Sequence, residues 1–132
     1  MKGESMYKEF IIIVIILIFV FGIDFLTNNY VKESVRIMTD KLEALKETIL
    51  QEDTDDIERK LAEIKIIWEE KYNVLSYYIE HDELEKVGIQ IALLNGDLQV
   101  EEYNTAIENL EEVIYILKHI QEKEQFDFRS IF

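Results

Sequence analysis

Cysteine and proline are absent from this sequence of 132 residues, and glycine occurs only four times. Without cysteine there are no disulfides, thiolate metal sites, cysteine nucleophiles or lipid attachment at an N-terminal cysteine. Sandwiches and β-barrels need many turn residues, so the scarcity of glycine and proline argues against both and favours long helices. We therefore expect an all-α protein with room for one domain and an anchor.

Positive charge is also scarce, because 28 Asp and Glu face only 14 Lys and Arg, and the net charge is −14. Residues 1–9 are neutral overall, so all of the negative excess lies further along the chain. A surface this acidic repels phosphate backbones, and we expect no nucleic-acid partner. It also repels anionic lipid headgroups.

In contrast to this acidic remainder, residues 10–21 read "FIIIVIILIFVF" without a polar side chain. The uncharged stretch from Phe10 to Ile23 covers about 21 Å of helix, which is shorter than the ~30 Å hydrocarbon core of a bilayer. Flanking apolar residues lengthen the stretch at both ends. Tyr7 and Tyr30 lie 23 residues apart, or about 34 Å along a helix, close to the spacing of two interfacial aromatic belts.

Three fates are open to this stretch: a retained single-pass anchor, a cleaved signal peptide, or a buried core helix. A small-x-small cleavage site is matched only weakly, by residues 20–22. A helix that is apolar on every face needs a larger surrounding protein than the remaining ~110 residues supply. We therefore predict that residues 1–27 form a head and a single transmembrane helix, with a secreted helical module after cleavage as an alternative.

The orientation of such an anchor is not decided by its flanking charges. Lys2 and Lys8 on one side balance Lys32 and Arg36 on the other in the positive-inside count. A short neutral head and a long acidic tail favour an inside N-terminus. We expect a single-pass protein of the cell membrane whose C-terminal domain is extracytoplasmic.

Residues 28–125 show apolar residues at helical spacing and predict a small antiparallel bundle of four helices, built as two αα-hairpins. Turns are predicted at "QEDTDD" (51–56), "HD" (81–82) and "NGD" (95–97), with Asp53 or Thr54 and Asp82 as helix caps. The last helix is predicted to end near Ile120. The predicted core residues, all on apolar stripes, are Leu61, Ile64, Trp68, Leu110 and Ile114.

The two histidines, His81 and His119, are candidate metal ligands. Ferritin-like di-iron sites place Glu three residues before His, where this sequence has Tyr78 and Ile116. We expect both histidines near helix C-termini, where the helix dipole favours their charge. "DTDDIE" at 53–58 departs from the calcium-loop pattern at its fifth and sixth positions. A metal-binding or catalytic helical domain that uses these histidines and the acidic turns is nevertheless an alternative function.

The C-terminal residues 126–132 form an apolar tail in which Phe126, Phe128, Ile131 and Phe132 stand out. Counting passes along the bundle brings this tail, and the tyrosines at 72, 77 and 78, back towards the membrane. The tail either covers the open end of the bundle or docks onto the bilayer or a neighbouring membrane protein. Because Arg129 is its only cation, a protein partner is favoured over anionic lipid.

Two longer segments carry a family resemblance: "IIWEEKYNVLSYYIEHDELEKV" at 66–87 and "LEEVIYILKHIQEKE" at 110–124, together with the terminal "IF". With the N-terminal apolar anchor, they resemble a Firmicute family of small membrane-anchored helical proteins, a domain of unknown function. Members are often encoded beside a multi-pass membrane protein of the YetF type, and the resemblance implies such a partner. This sequence departs from the family's paired histidines, because Asp82 follows His81.

We therefore expect a non-enzymatic interaction module, an accessory subunit or scaffold of a membrane complex that uses no cofactor or metal. A homo-oligomer stays open, because the stripe from Val31 to Ile49 also fits a short dimer seam.

Overall fold

The structure, a computed structural model, describes residues 2–131, with the side chains of Lys2, Phe128, Ser130 and Ile131 left undescribed. Over this range it contains four α-helices and no strand, so the all-α prediction is confirmed. The helices, numbered in chain order, are α1 (Lys2–Leu50), α2 (Thr54–Leu75), α3 (His81–Gln99) and α4 (Tyr103–Ile131).

Helix α1 continues unbroken for 49 residues through two different surroundings. No side chain from Phe10 to Leu26 is buried, and we call these residues the apolar segment. Further along, α1 turns a buried stripe from Val31 to Ile49 towards the other helices. Helix α1, which contains this segment, is long and apolar enough to cross a membrane, a test that a signal sequence also passes. Because the rest of the chain does not cover it, the core-helix alternative is wrong.

Cross-helix contacts fix the pairing of the bundle. Lys41 Nζ lies 2.6 Å from Glu63 Oε1, between α1 and α2, and Lys46 Nζ lies 2.7 Å from Glu111 Oε1, between α1 and α4. Helix α4 packs on both α1 and α3, whereas α2 and α3 touch only briefly. Helices α1 and α4 therefore form the middle of the bundle, with α2 and α3 on its two flanks.

Trp68 stands at the place where α2 and α3 come together. Its ring is 8% exposed and meets the Tyr72 ring edge-on, with 6.1 Å between the centroids. Across the interface, a Cβ on Gly88 would lie 3.8 Å from Trp68 Nε1, an ordinary contact distance. The other predicted core residues are also buried: Leu61, Ile64, Leu110 and Ile114.

The first turn follows the predicted capping chemistry. Asp53 is the N-cap of α2, and its side chain accepts a hydrogen bond from the Asp56 backbone N–H at 3.3 Å. Asp55 and Asp56 occupy the first turn of α2, where the helix dipole favours negative charge. The Asp53 cap is thus confirmed. The predicted Asp82 cap is wrong, because α3 starts at His81 and its N-cap is Glu80, which makes no side-chain cap bond.

Two predicted helix ends are also wrong, because both helices continue beyond them. The "NGD" sequence at 95–97 lies inside α3, which continues to Gln99. The cost of a helical glycine is about 1 kcal/mol, and burial of Leu94 and Leu98 against the core outweighs it. Likewise α4 passes Ile120 and continues to Ile131.

The real α3–α4 turn places Glu101 in the left-handed region, with φ at 57°. The Glu101 N–H donates to the Leu98 carbonyl and the Glu102 N–H donates to the Asp97 carbonyl, the Schellman pattern that usually has glycine at this position.

Replacing Trp68 by Ala should lower the free energy of unfolding by about 3–5 kcal/mol, because a large buried side chain is lost. Urea unfolding of the full chain in detergent, followed by circular dichroism, measures the change. Ile66→Ala is the matched control, since Ile66 lies on the same helix but is 60% exposed. A loss below about 1 kcal/mol for Trp68→Ala would show that this ring does not support the core.

Replacing Glu101 by Gly should raise the free energy of unfolding by about 1 kcal/mol, because glycine adopts positive φ without a Cβ clash. Glu101→Gln removes the same charge but keeps the Cβ, so it should recover much less. Equal effects of the two substitutions in the same unfolding assay would assign the gain to charge and contradict the backbone explanation.

Candidate interaction surface

The candidate metal ligands His81 and His119 lie on two different helices and are both exposed. His81 Nδ1 is 3.3 Å from Tyr72 Oη, and its Nε2 is 4.0 Å from Glu85. His119 is exposed in the middle of α4. The expectation that both lie at helix C-termini is wrong, because His81 opens α3. Within the described residues, no group of three or more His, Cys, Asp or Glu side chains is arranged to hold a metal ion.

Exposed apolar side chains instead gather at the end of the bundle next to the apolar segment. We call this set the proximal surface, and its members are Leu26, Val74, Tyr77, Tyr78 and Phe126. Part of it is a groove of about 480 Å³ between α1 and the end of α2. The groove is lined on one side by Ile23, Leu26 and Tyr30 and on the other by Val74 and Tyr78.

The tyrosines of the proximal surface stand on a tightly bonded turn between α2 and α3. The Tyr77 N–H donates to the Val74 carbonyl at 3.2 Å, and the Tyr78 N–H donates to the Leu75 carbonyl at 2.9 Å. Leu75 and Ile79, on either side of the two rings, are buried in the core. The turn therefore holds both tyrosines outward, and Tyr77 is 83% exposed.

An ion pair and a cation–π contact lie near this end of the bundle. Arg36 Nη2 lies 2.9 Å from Glu33 Oε2, and this hydrogen bond lowers the pKa of Glu33. Lys71 Nζ lies 5.0 Å from the centre of the Tyr30 ring, a cation–π contact. This contact holds Lys71 of α2 against Tyr30 of α1, whose ring also lines the groove.

The end of α4 is held to the start of α3 by a small charge cluster. Lys123 Nζ lies 3.2 Å from Glu83 and 3.6 Å from Glu80, and the hydrogen bond to Glu83 raises the pKa of Lys123. Burial raises the pKa of the neighbouring Glu124, and Asp127 and Glu83 add to the rise. Carboxylates thus crowd this corner, and Lys123 offsets part of their repulsion.

Among the predicted tail residues, Phe126 is the one whose side chain the structure describes, and it is 71% exposed. Counting from the Lys46–Glu111 pair, it lies fifteen residues along α4, level with Val31 of α1. The side chains of Phe128 and Ile131, and all of Phe132, fall outside the described residues. Helix α4 carries the tail back to the apolar segment, as pass counting predicts.

Two further surfaces were missed by the sequence reasoning. At the far end of the bundle α2 and α3 separate, leaving a cleft of about 290 Å³ lined by Leu61, Leu98 and Tyr103. On the outer face of α3, Ile89 and Leu93 are about half exposed. Their spacing of four residues, opposite the buried stripe of the same helix, was the available signal.

Comparison with curated proteins and with solved structures gives no match. A family model does match, over residues 25–131, and its description is a domain of unknown function, DUF4363. The match starts within the last residues of the apolar segment and covers the bundle part of α1 together with α2, α3 and α4. The chain therefore belongs to the DUF4363 family.

Proposed function

We propose that this protein is a non-enzymatic, membrane-anchored interaction module that serves as an accessory subunit or scaffold of a membrane complex. The observation that supports the proposal most is the continuity of α1, which joins an uncovered apolar segment to a packed bundle without a break. An apolar helix of this length is stable in a bilayer, because its backbone N–H and C=O groups form hydrogen bonds within the helix. The bundle then stands directly on the membrane surface.

The chemistry of the bundle also supports a binding role. Its acidic side chains are spread over the helices, and several of them pair with lysine across helix interfaces. In each of the two described grooves, apolar and aromatic side chains make up at least half of the lining, and no concentrated set of titratable groups lies there. Catalytic sites depend on such groups being brought together. Exposed apolar surface beside an anchor is instead typical of contact with another protein or with lipid.

We propose a second membrane protein as the partner, with a YetF-type multi-pass protein as the first candidate on the basis of the family resemblance. The C-terminal end of α4 is the proposed docking element, because it returns to the proximal surface with Phe126 exposed. The proposed topology has the N-terminus inside and the bundle outside the cytoplasm, which keeps the acidic bundle away from the anionic cytoplasmic leaflet.

Crosslinking in native membranes tests this proposal, with the intact chain and a chain that ends after Gln125. We expect N-terminal peptides to be found in the membrane fraction, because the apolar segment is retained. We also expect the intact chain to give a crosslinked partner band that the shortened chain loses. Helix content and urea unfolding of both chains show whether the deletion has disturbed the bundle.

The matched control is Tyr115→Ser, which removes an aromatic ring of similar exposure from a different level of the same helix. It should keep the partner band. A mature chain beginning near Ile23 would overturn the anchor, and a partner band unaffected by the deletion would overturn docking through the tail.

A further inference from the structure

We propose that the turn between α2 and α3 is a second membrane contact, in which Tyr77 and Tyr78 enter the headgroup–acyl boundary of the bilayer beside the anchor. This inference rests on the proposed membrane anchor. Zwitterionic lipid at the interface would contact these two tyrosines of the proximal surface. This contact would fix the distance between the bundle and the bilayer surface.

The depth of the two rings follows from the helix pairing. Counting from the Lys41–Glu63 contact, Tyr78 lies fifteen residues further along the chain and Leu26 fifteen residues earlier. Because α1 and α2 are antiparallel, these two positions are level. The shared groove, with Tyr78 on one wall and Ile23 and Leu26 on the other, shows the same alignment.

The level of Leu26 is also where the hydrocarbon core should end. From Tyr7 to Leu26 there are twenty residues, which span about 30 Å of helix and match the thickness of the core. A bilayer positioned on this segment therefore has its surface at the level of the α2–α3 turn. Tyrosine is favoured at this depth, since its ring is apolar and its hydroxyl reaches the headgroups.

The turn is also built to present these rings at little entropic cost. Its backbone hydrogen bonds and the burial of Leu75 and Ile79 fix the conformation before any lipid is met. Tyr77 has the highest exposure of the large apolar side chains that the structure describes as exposed, at 83%. This ring points outward next to an apolar helix. When a bilayer surrounds that helix, the ring is transferred from water into the interface, which lowers the free energy.

The charges near the turn determine which lipid headgroups can approach it. Glu80 and Glu83 stand beside it and are only partly balanced by Lys123. Anionic headgroups would be repelled here, whereas zwitterionic headgroups would not.

Spin labelling of the full chain, at one chain per nanodisc of phosphatidylcholine, tests the inference. Because the sequence has no cysteine, Tyr77→Cys, Tyr115→Cys and Ile16→Cys each create a single labelling site. Collision of the label with oxygen, which concentrates in the bilayer, and with a water-soluble nickel chelate gives its depth. Tyr115 is the matched control, since it is an exposed tyrosine whose level on α1, near Leu42, is about 24 Å from Leu26.

We expect the Ile16 label in the hydrocarbon, the Tyr77 label at or below the lipid phosphates, and the Tyr115 label in water. A Tyr77 label as accessible to nickel as the Tyr115 label, with Ile16 still in the hydrocarbon, overturns the second contact and leaves the anchor intact. An Ile16 label in water overturns the anchor itself, and the inference with it. Unchanged helix content in each variant shows that the label has not unfolded the bundle.

Discussion

The rest of the structure depends on the continuity of α1 between the apolar segment and the buried stripe. Asp24 and Gly22 lie within this passage, yet the helix does not break. A helix interior tolerates one glycine at about 1 kcal/mol, and proline, which would interrupt the hydrogen-bond ladder, is absent. The backbone is therefore a stiff connection. The position and tilt of the apolar segment in its surroundings therefore also determine the position and orientation of the bundle.

Packing around α1 explains why the two ends of the bundle differ. Helices α2 and α3 approach at Trp68 and Gly88, close to the apolar segment, and diverge towards Leu61 and Leu98. Helices α2 and α3 thus pack directly on each other in the proximal half, whereas a cleft lies between them at the far end. At the proximal end the hydrogen-bonded turn between α2 and α3 holds Tyr77 and Tyr78 outward, whereas the far end carries the cleft lined by Leu61 and Leu98.

The sequence predicts the core well because a buried helix face repeats every three or four residues. Each member of the stripes through Leu61, Ile64 and Trp68 has a partner one turn away, so a single odd residue does not hide the pattern. Helix ends are determined by fewer residues. Gly96 favours a turn, but the free-energy cost of one helical glycine is smaller than the gain from burying the neighbouring apolar side chains.

The proximal surface is harder to predict from the spacing of apolar residues. Tyr78 and Leu26 are far apart in sequence, and their alignment depends on which helices pair and at what register. Counting the helix passes correctly places the α2–α3 turn and the tail at the end of the bundle next to the apolar segment. It does not predict the groove or which side chains are exposed. Likewise, Ile89 and Leu93 fit a buried second face as well as an exposed one, and only the packing of α3 shows that they face outward.

The central claim is that one unbroken helix joins the anchor to the bundle, and a distance across the boundary tests it directly. Double electron–electron resonance between nitroxides at Ile16→Cys and Glu47→Cys, both exposed positions of α1, measures that distance in nanodiscs. A continuous helix of 31 intervening steps predicts a single narrow distribution near ~46 Å. A broad distribution, or one centred well below this distance, would show a hinge between the two halves and would contradict the account.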